Sequence, residues 1–160
     1  MVNYLTILFF IFFIGCEINS EQLIKSESVN FENIKFNAVS KSLNFSNSQI
    51  GNDVDYTKKL ITNWFNKNIK TDGLEGDLNV NVNSIDIKKI REENFYRFEI
   101  KLNIEFTERN KILNKIKTYT VNSIEFGDIK GSFSISDIEN LNKNIILKCL
   151  KNINQKIISL

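Results

Sequence analysis

The sequence predicts an α+β fold, a two-layer sandwich in which two helices pack on one face of a mostly antiparallel four-stranded sheet, in the order β-α-β-β-β-α. Three observations predict it. Tyr96, Phe98, Ile100, Leu102, Ile104 and Phe106 share one parity while Arg97, Glu99, Lys101, Asn103 and Glu105 fill the other. That is the period of a strand with one buried and one wetted face, as in an antiparallel sheet covered on one side. Ile138, Leu141, Ile145, Cys149, Ile153 and Ile157 recur in steps of three or four, the stripe of an amphipathic helix. Tyr56, Leu60, Ile61, Trp64, Phe65 and Ile69 repeat at helical spacing in a second segment. A sheet with one apolar face and two one-sided helices solve each other's burial problem.

The elements follow in order. Residues Leu5 to Ile14 form an almost unbroken apolar run of ten residues. A membrane-spanning helix needs about 20, so the run has the length of an export-signal core. The chain's single alanine is Ala38, so no Ala-x-Ala cleavage site follows the run, which instead ends in Phe13-Ile14-Gly15-Cys16. The other readings of this stretch are an uncleaved apolar anchor or a buried strand with a core cysteine. The expected organisation is an export signal over residues 1–15, a polar flexible tether over 16–28, and a single domain over 29–160.

Ile34 to Phe45 alternates in patches and reads as one strand whose change of phase would take a bulge. Ser46 to Asp53 is turn chemistry. Asp53 to Lys70 is predicted helical, with Asp53 as N-cap and Gly73 as a left-handed C-cap. Leu78, Val80 and Val82 alternate, and the phase then shifts to Ile85 and Ile87, predicting a bulge at Asn83-Ser84. Arg91 to Asn94 is a polar hairpin loop leading into the Tyr96–Phe106 strand. Lys115 to Ile129 is the fourth strand, with a second slip of parity near Asn122-Ser123 that would bury Ile124 and Phe126 with Tyr119 and Val121. Ser136 to Ser159 is the terminal helix, with Ser136 and Glu139 as a capping box.

The composition narrows the chemistry. The formal charge is +2 from 21 basic and 19 acidic residues, which calls for no nucleic acid or acidic partner. There is no histidine, which removes the usual general base and the commonest zinc ligand. No Gly-rich phosphate loop, nucleophile elbow or metal-spaced cluster occurs, and no cofactor is implied. Asp72, Glu75 and Asp77 lie in a Gly-containing loop and could hold Ca²⁺, but the twelfth position from Asp72 is Asn83 rather than Glu, so a solvated turn is the better reading. Cys149 reads as a small core residue and Trp64 and Phe65 as core anchors. Lys88, Lys89 and Arg91 read as a solvated rim.

Phe13-Ile14-Gly15-Cys16 resembles the lipobox of bacterial lipoproteins, with Phe13 in place of the more usual Leu and no Lys or Arg in Met1 to Tyr4. The resemblance implies a diacylglycerol on the Cys16 thiol, cleavage after Gly15, and acylation of the new amino terminus. Glu17 stands where Asp would favour the inner membrane, so the implied location is the outer membrane, facing the periplasm. Lipobox, tether and element order together resemble the lipopolysaccharide-assembly lipoprotein family LptE. That implies contact with an outer-membrane β-barrel or another lipid-transport partner. Three functions are therefore expected in rank order. The first is a non-enzymatic accessory lipoprotein with an exposed apolar or sheet-edge patch. The second is a periplasmic lipid or small-ligand binder with a pocket between sheet and helices. The third is an enzyme using carboxylates such as Asp72 or Glu75.

Overall fold

The structure, a computed structural model, describes residues 29–46 and 51–159. Its elements are β1 (Ile34–Phe36), β2 (Ser40–Phe45), α1 (Asn52–Asn68), β3 (Ile69–Thr71), β4 (Asp77–Glu92), β5 (Phe95–Asn110), β6 (Lys115–Lys130) and α2 (Ile135–Ile158). The expected α+β sandwich is present: α1 and α2 cover one face of a four-stranded sheet of order β2-β4-β5-β6. Its long strands are antiparallel and β2 joins parallel to β4. The bulge expected at Asn83-Ser84 is also present, as a register shift between Val82 and Ser84.

The first strand differs from expectation. Ile34 to Phe45 is two strands, because the chain turns at Asn37–Val39 and only β2 joins the main sheet. β1 pairs in parallel with β3, a three-residue strand formed by Ile69–Thr71. The α1 helix therefore ends at Asn68, and Ile69, extended, closes it with its N–H on the Phe65 carbonyl. Gly73 is not its cap; it sits after β3, donating its N–H to Ala38 O at 3.1 Å, where a Cβ would stand 2.6 Å from Ala38 N. The cation that helps cap α1 comes from β2: Lys41 Nζ donates to Phe65 O at 3.2 Å and to Ile69 O. A positive charge on the orphan carbonyls of a helix end is favoured by the helix dipole.

The N-caps also differ. Gly51 precedes α1 with no side-chain cap, and Asp53 lies within the first turn, beside Asp55. For α2 the capping box is Ser134 with Asp137, two residues before the expected pair. Both pairs share the Ser-x-x-acid spacing. Ser134 takes the role because it is extended (φ −91°, ψ 170°) and its hydroxyl accepts from Asp137 N at 3.2 Å. Asp137 in turn accepts from Ser134 N at 2.7 Å.

The core lies between sheet and helices. Phe98, Ile100, Leu102, Ile104 and Phe106 from β5 are buried, with Ile146, Leu150 and Ile153 from α2 and Ile61 and Trp64 from α1 above them. The small β1–β3 pair closes the end of the core that the helices do not reach, and Phe36 stacks on Phe106 with centroids 6.0 Å apart.

Strand β6 carries the main correction. It pairs with β5 residue for residue from Asn110↔Lys115 to Phe95↔Lys130, with no slip at Asn122-Ser123. Val121, Ser123, Glu125 and Gly127 therefore face the helices, while Ile124 and Phe126 point to the opposite face and are exposed. The reason is close helix packing. A Cβ on Gly127 would stand 2.7 Å from Ile145 Cδ1 and 2.9 Å from Leu141 Cδ1, so no side chain fits inward there, and Ile124 and Phe126 on either side of Glu125 lie outside.

Candidate functional site

Cys16, the one residue given a role by the sequence, lies outside the described residues, as do the apolar run and the tether. Among the described residues no helix is long and apolar enough to cross a membrane.

The structure gives two of the three loop carboxylates ordinary surface contacts. Asp72 pairs with Lys35 at 3.3 Å. Asp77 pairs with Lys111 at 3.1 Å and accepts from Ser40 Oγ at 3.1 Å. These hydrogen bonds hold the Asp77 carboxyl below its usual value. Among the described residues no group of three His, Cys, Asp or Glu side chains stands together as a metal site. Cys149 is fully buried, and burial pushes its thiol up to about 11, against a smaller pull from the Ser123 hydroxyl. Ser123 Oγ is itself buried without a well-formed hydrogen bond. A thiol protonated at neutral pH and shut from solvent is not a nucleophile.

Trp64 and Phe65 are core residues. Trp64 Nε1 donates to Asn154 Oδ1 at 2.9 Å, and Asn154 Nδ2 donates to Glu32 O at 3.1 Å, so the buried polar atoms satisfy one another and tie the entering chain to α2. The fully buried side chains of β5, α1 and α2 fill the space in which a ligand pocket was expected. Lys88, Lys89 and Arg91 are exposed, and Lys89 pairs with Asp53.

What the structure brings together instead is the outer face of the sheet, opposite the helices. A row of asparagines crosses three strands there: Asn81 Nδ2 donates to Asn83 Oδ1 at 2.9 Å, Asn83 Nδ2 to Asn103 Oδ1 at 2.8 Å, and Asn103 Nδ2 to Asn122 Oδ1 at 2.6 Å. Toward the β4–β5 hairpin, Arg97 Nε and Nη2 clasp Asp128 at 2.6 and 2.7 Å. The paired charges pull the Asp128 carboxyl down and push the guanidinium up. The same guanidinium lies over the Phe126 and Phe95 rings at 5.4 and 5.7 Å. Ile90, Ile124 and Phe126 complete a mixed apolar and charged surface, all three exposed. A shallow depression of about 450 Å³ lined by Lys88, Lys89, Ile90, Arg97 and Glu99 adjoins it. The patch escaped sequence reasoning because Ile124 and Phe126 were expected inside. The signal that could have found it was Gly127, at a position whose inward neighbours are large.

Among the described residues, strand β6 also forms an edge of the sheet. Lys156 Nζ, from the last turn of α2, donates to Asn122 O at 2.6 Å. A charged side chain laid on an edge carbonyl is one way a strand is kept from pairing indiscriminately.

No family model and no curated protein matches the chain. Among solved structures it is similar to a DUF330-family protein from Xanthomonas campestris (7% identity, 79% of this chain and 84% of that one, TM-score 0.43). It is also similar to rare lipoprotein B from Shewanella oneidensis (11% identity, 75% and 94%, TM-score 0.41). A third is a minor lipoprotein from Acinetobacter baumannii (10% identity, 74% and 86%, TM-score 0.37). Two of the three are named as bacterial lipoproteins. At these values the likeness carries no functional argument.

Proposed function

We propose that the chain is a non-enzymatic lipoprotein of the bacterial cell envelope, anchored through Cys16 and facing the periplasm from the outer membrane. Its domain acts as an accessory or assembly subunit for a membrane partner, either an outer-membrane barrel or a lipid-transport complex. The LptE type of lipopolysaccharide-assembly subunit is the specific form of this reading. The observation that carries it is the outer face of the sheet, where among the described residues Ile90, Ile124 and Phe126 are exposed around the Arg97–Asp128 clasp. Exposed apolar side chains held beside a prepaid arginine clasp are the makings of a protein contact. Buried side chains occupy the layer where a ligand would sit, and the loop carboxylates are paired apart, so the other two functions gain nothing from the structure.

Two measurements test the proposal. Acyl labelling in cells should mark the wild-type chain and not Cys16→Ser. Affinity purification from solubilised envelopes should recover a membrane protein with the wild type, and at least about tenfold less of it with Ile124→Asp plus Phe126→Asp, since central truncations cost ~2 kcal/mol or more. Equal recovery with both chains, or a strictly monomeric domain with no envelope partner, sinks it.

A further inference from the structure

The exposed large apolar side chains are not spread evenly. Five of them, Val39 (60% exposed), Leu74 (93%), Ile112 (71%), Leu113 (61%) and Ile116 (60%), sit at one end of the sandwich. The backbone brings them there. Gly76, with φ +88°, backs so closely onto the β5 end that a Cβ would stand 2.2 Å from Arg109 O, and Val39 N donates to Gly76 O at 3.0 Å. The loop bearing Leu74 and the turn bearing Val39 are thus held against the β5–β6 hairpin, whose tip is Lys111–Asn114. The Asn110 carboxamide shapes that tip, accepting from Leu113 N at 2.9 Å, and Asn114 takes φ 48°.

This end is a projection, not a groove. Strands of 16 residues run about 53 Å, whereas the 24-residue α2 runs about 36 Å, so the hairpin outruns the helix layer. The hairpin that bears them also carries four exposed cations, Arg109, Lys111, Lys115 and Lys117. The neighbouring loop carries Asp72, Glu75 and Asp77, and Glu108 precedes the hairpin. Asp72 and Asp77 are taken up by Lys35 and Lys111, whereas Arg109, Lys115 and Lys117 have no ion pair among the described residues.

The chain also enters the domain on this side. Asn68, the last residue of α1, holds Phe31 O at 3.1 Å, and Asn154, near the end of α2, holds Glu32 O at 3.1 Å. Both helices end toward the apolar tip, since α1 leads into β3 and the Leu74 loop, and α2 runs back along β6 from Lys130. The 13 residues from Cys16 to Ser28 reach at most about 45 Å, so a lipid on Cys16 would leave this end within reach of the bilayer.

We infer that the Ile112–Leu113 tip, with Leu74, Ile116 and Val39, is a second membrane contact that dips into the interfacial region of an anionic lipid surface. A protruding apolar knuckle with exposed lysines beside it suits that interface, apolar side chains entering below the headgroups while Lys115 and Lys117 meet phosphate. This inference rests on the anchored reading above for which membrane is met, but not for the contact itself.

The test reads depth at the tip. The full chain carrying Cys16→Ser and Leu113→Cys is labelled with a polarity-sensitive fluorophore; buried Cys149 does not compete for the label. A Glu99→Cys probe on the outer sheet face is the control. On vesicles of equal parts phosphatidylethanolamine and phosphatidylglycerol, the probe at 113 should shift its emission to the blue and be quenched by spin-labelled lipid, while the probe at 99 stays water-like. Lys115→Gln or Lys117→Gln should each reduce the immersed fraction by about fivefold, and raised salt should reduce it further. A probe at 113 that stays water-like on vesicle-bound chain overturns the inference and leaves the tip to a protein partner. Acyl labelling at Cys16 is scored separately, so loss of the anchor and loss of the tip contact are distinguishable.

Discussion

Lys41 shows how one side chain can do two things that its sequence context does not announce. Its ammonium caps the carbonyls at the end of α1 and lies 4.7 Å from the Phe65 ring centroid. Burial, with Lys70 nearby, lowers its pKa. Lys41→Met keeps the stem and removes the cap; urea unfolding should show a loss of about 1 kcal/mol, and an unchanged midpoint would mean the contact contributes nothing. The Asp128 carboxyl is held below its usual value by Arg97. A carboxyl depressed in the folded state stabilises above its unfolded pKa and loses that contribution as pH falls through the folded one. Thermal midpoints of Asp128→Asn should therefore fall less steeply than wild type below about pH 4, by a small amount because the pair is partly exposed and screened. Cys149 gives a third check. In the Cys16→Ser chain a thiol reagent should find no reactive cysteine at neutral pH until urea is added, whereupon one thiol should react.

At the scale of elements, β6 and α2 define each other. Gly127→Val places branched carbons where Ile145 and Leu141 already stand, and it should cost about 2 kcal/mol or more by overpacking. Ile124→Ser, one strand position class away on the open face, should stay within about 0.5 kcal/mol. Measured by denaturant midpoints, the reverse order would restore the slipped register. The same contrast explains what could be read beforehand. β5 was legible because from Tyr96 to Phe106 every inward residue is large and apolar and every outward one polar, so hydropathy and geometry agree. α2 was legible for the same reason, and only its cap moved, from Ser136 to Ser134. On β6 hydropathy and geometry disagree, because close helix packing selects Ser123 and Gly127 inside and leaves Ile124 and Phe126 out. β1 and β3 were not legible as separate strands, since three residues cannot display a period of two against a helical stripe that runs through Ile69.

For the whole molecule, the sheet has one face filled and one face open, and each has a different fate. The face toward the helices is filled, among the described residues, by the buried side chains of β5, α1 and α2. The open face carries the Arg97 clasp, the asparagine row and the exposed apolar side chains of β6. The site offered by the sequence, an attachment point at Cys16, rests on a local motif that resembles a lipobox and lies outside the described residues. The outer-face patch proposed for docking was not legible because it exists only once three strands align.

Photocrosslinking in intact cells from position 126 tests the central claim most directly. The account predicts a discrete adduct with one envelope protein from 126, lost with Arg97→Glu and absent from position 59 on the exposed side of α1. Equal adducts from both positions, or none from 126 in chains that remain anchored, would contradict it.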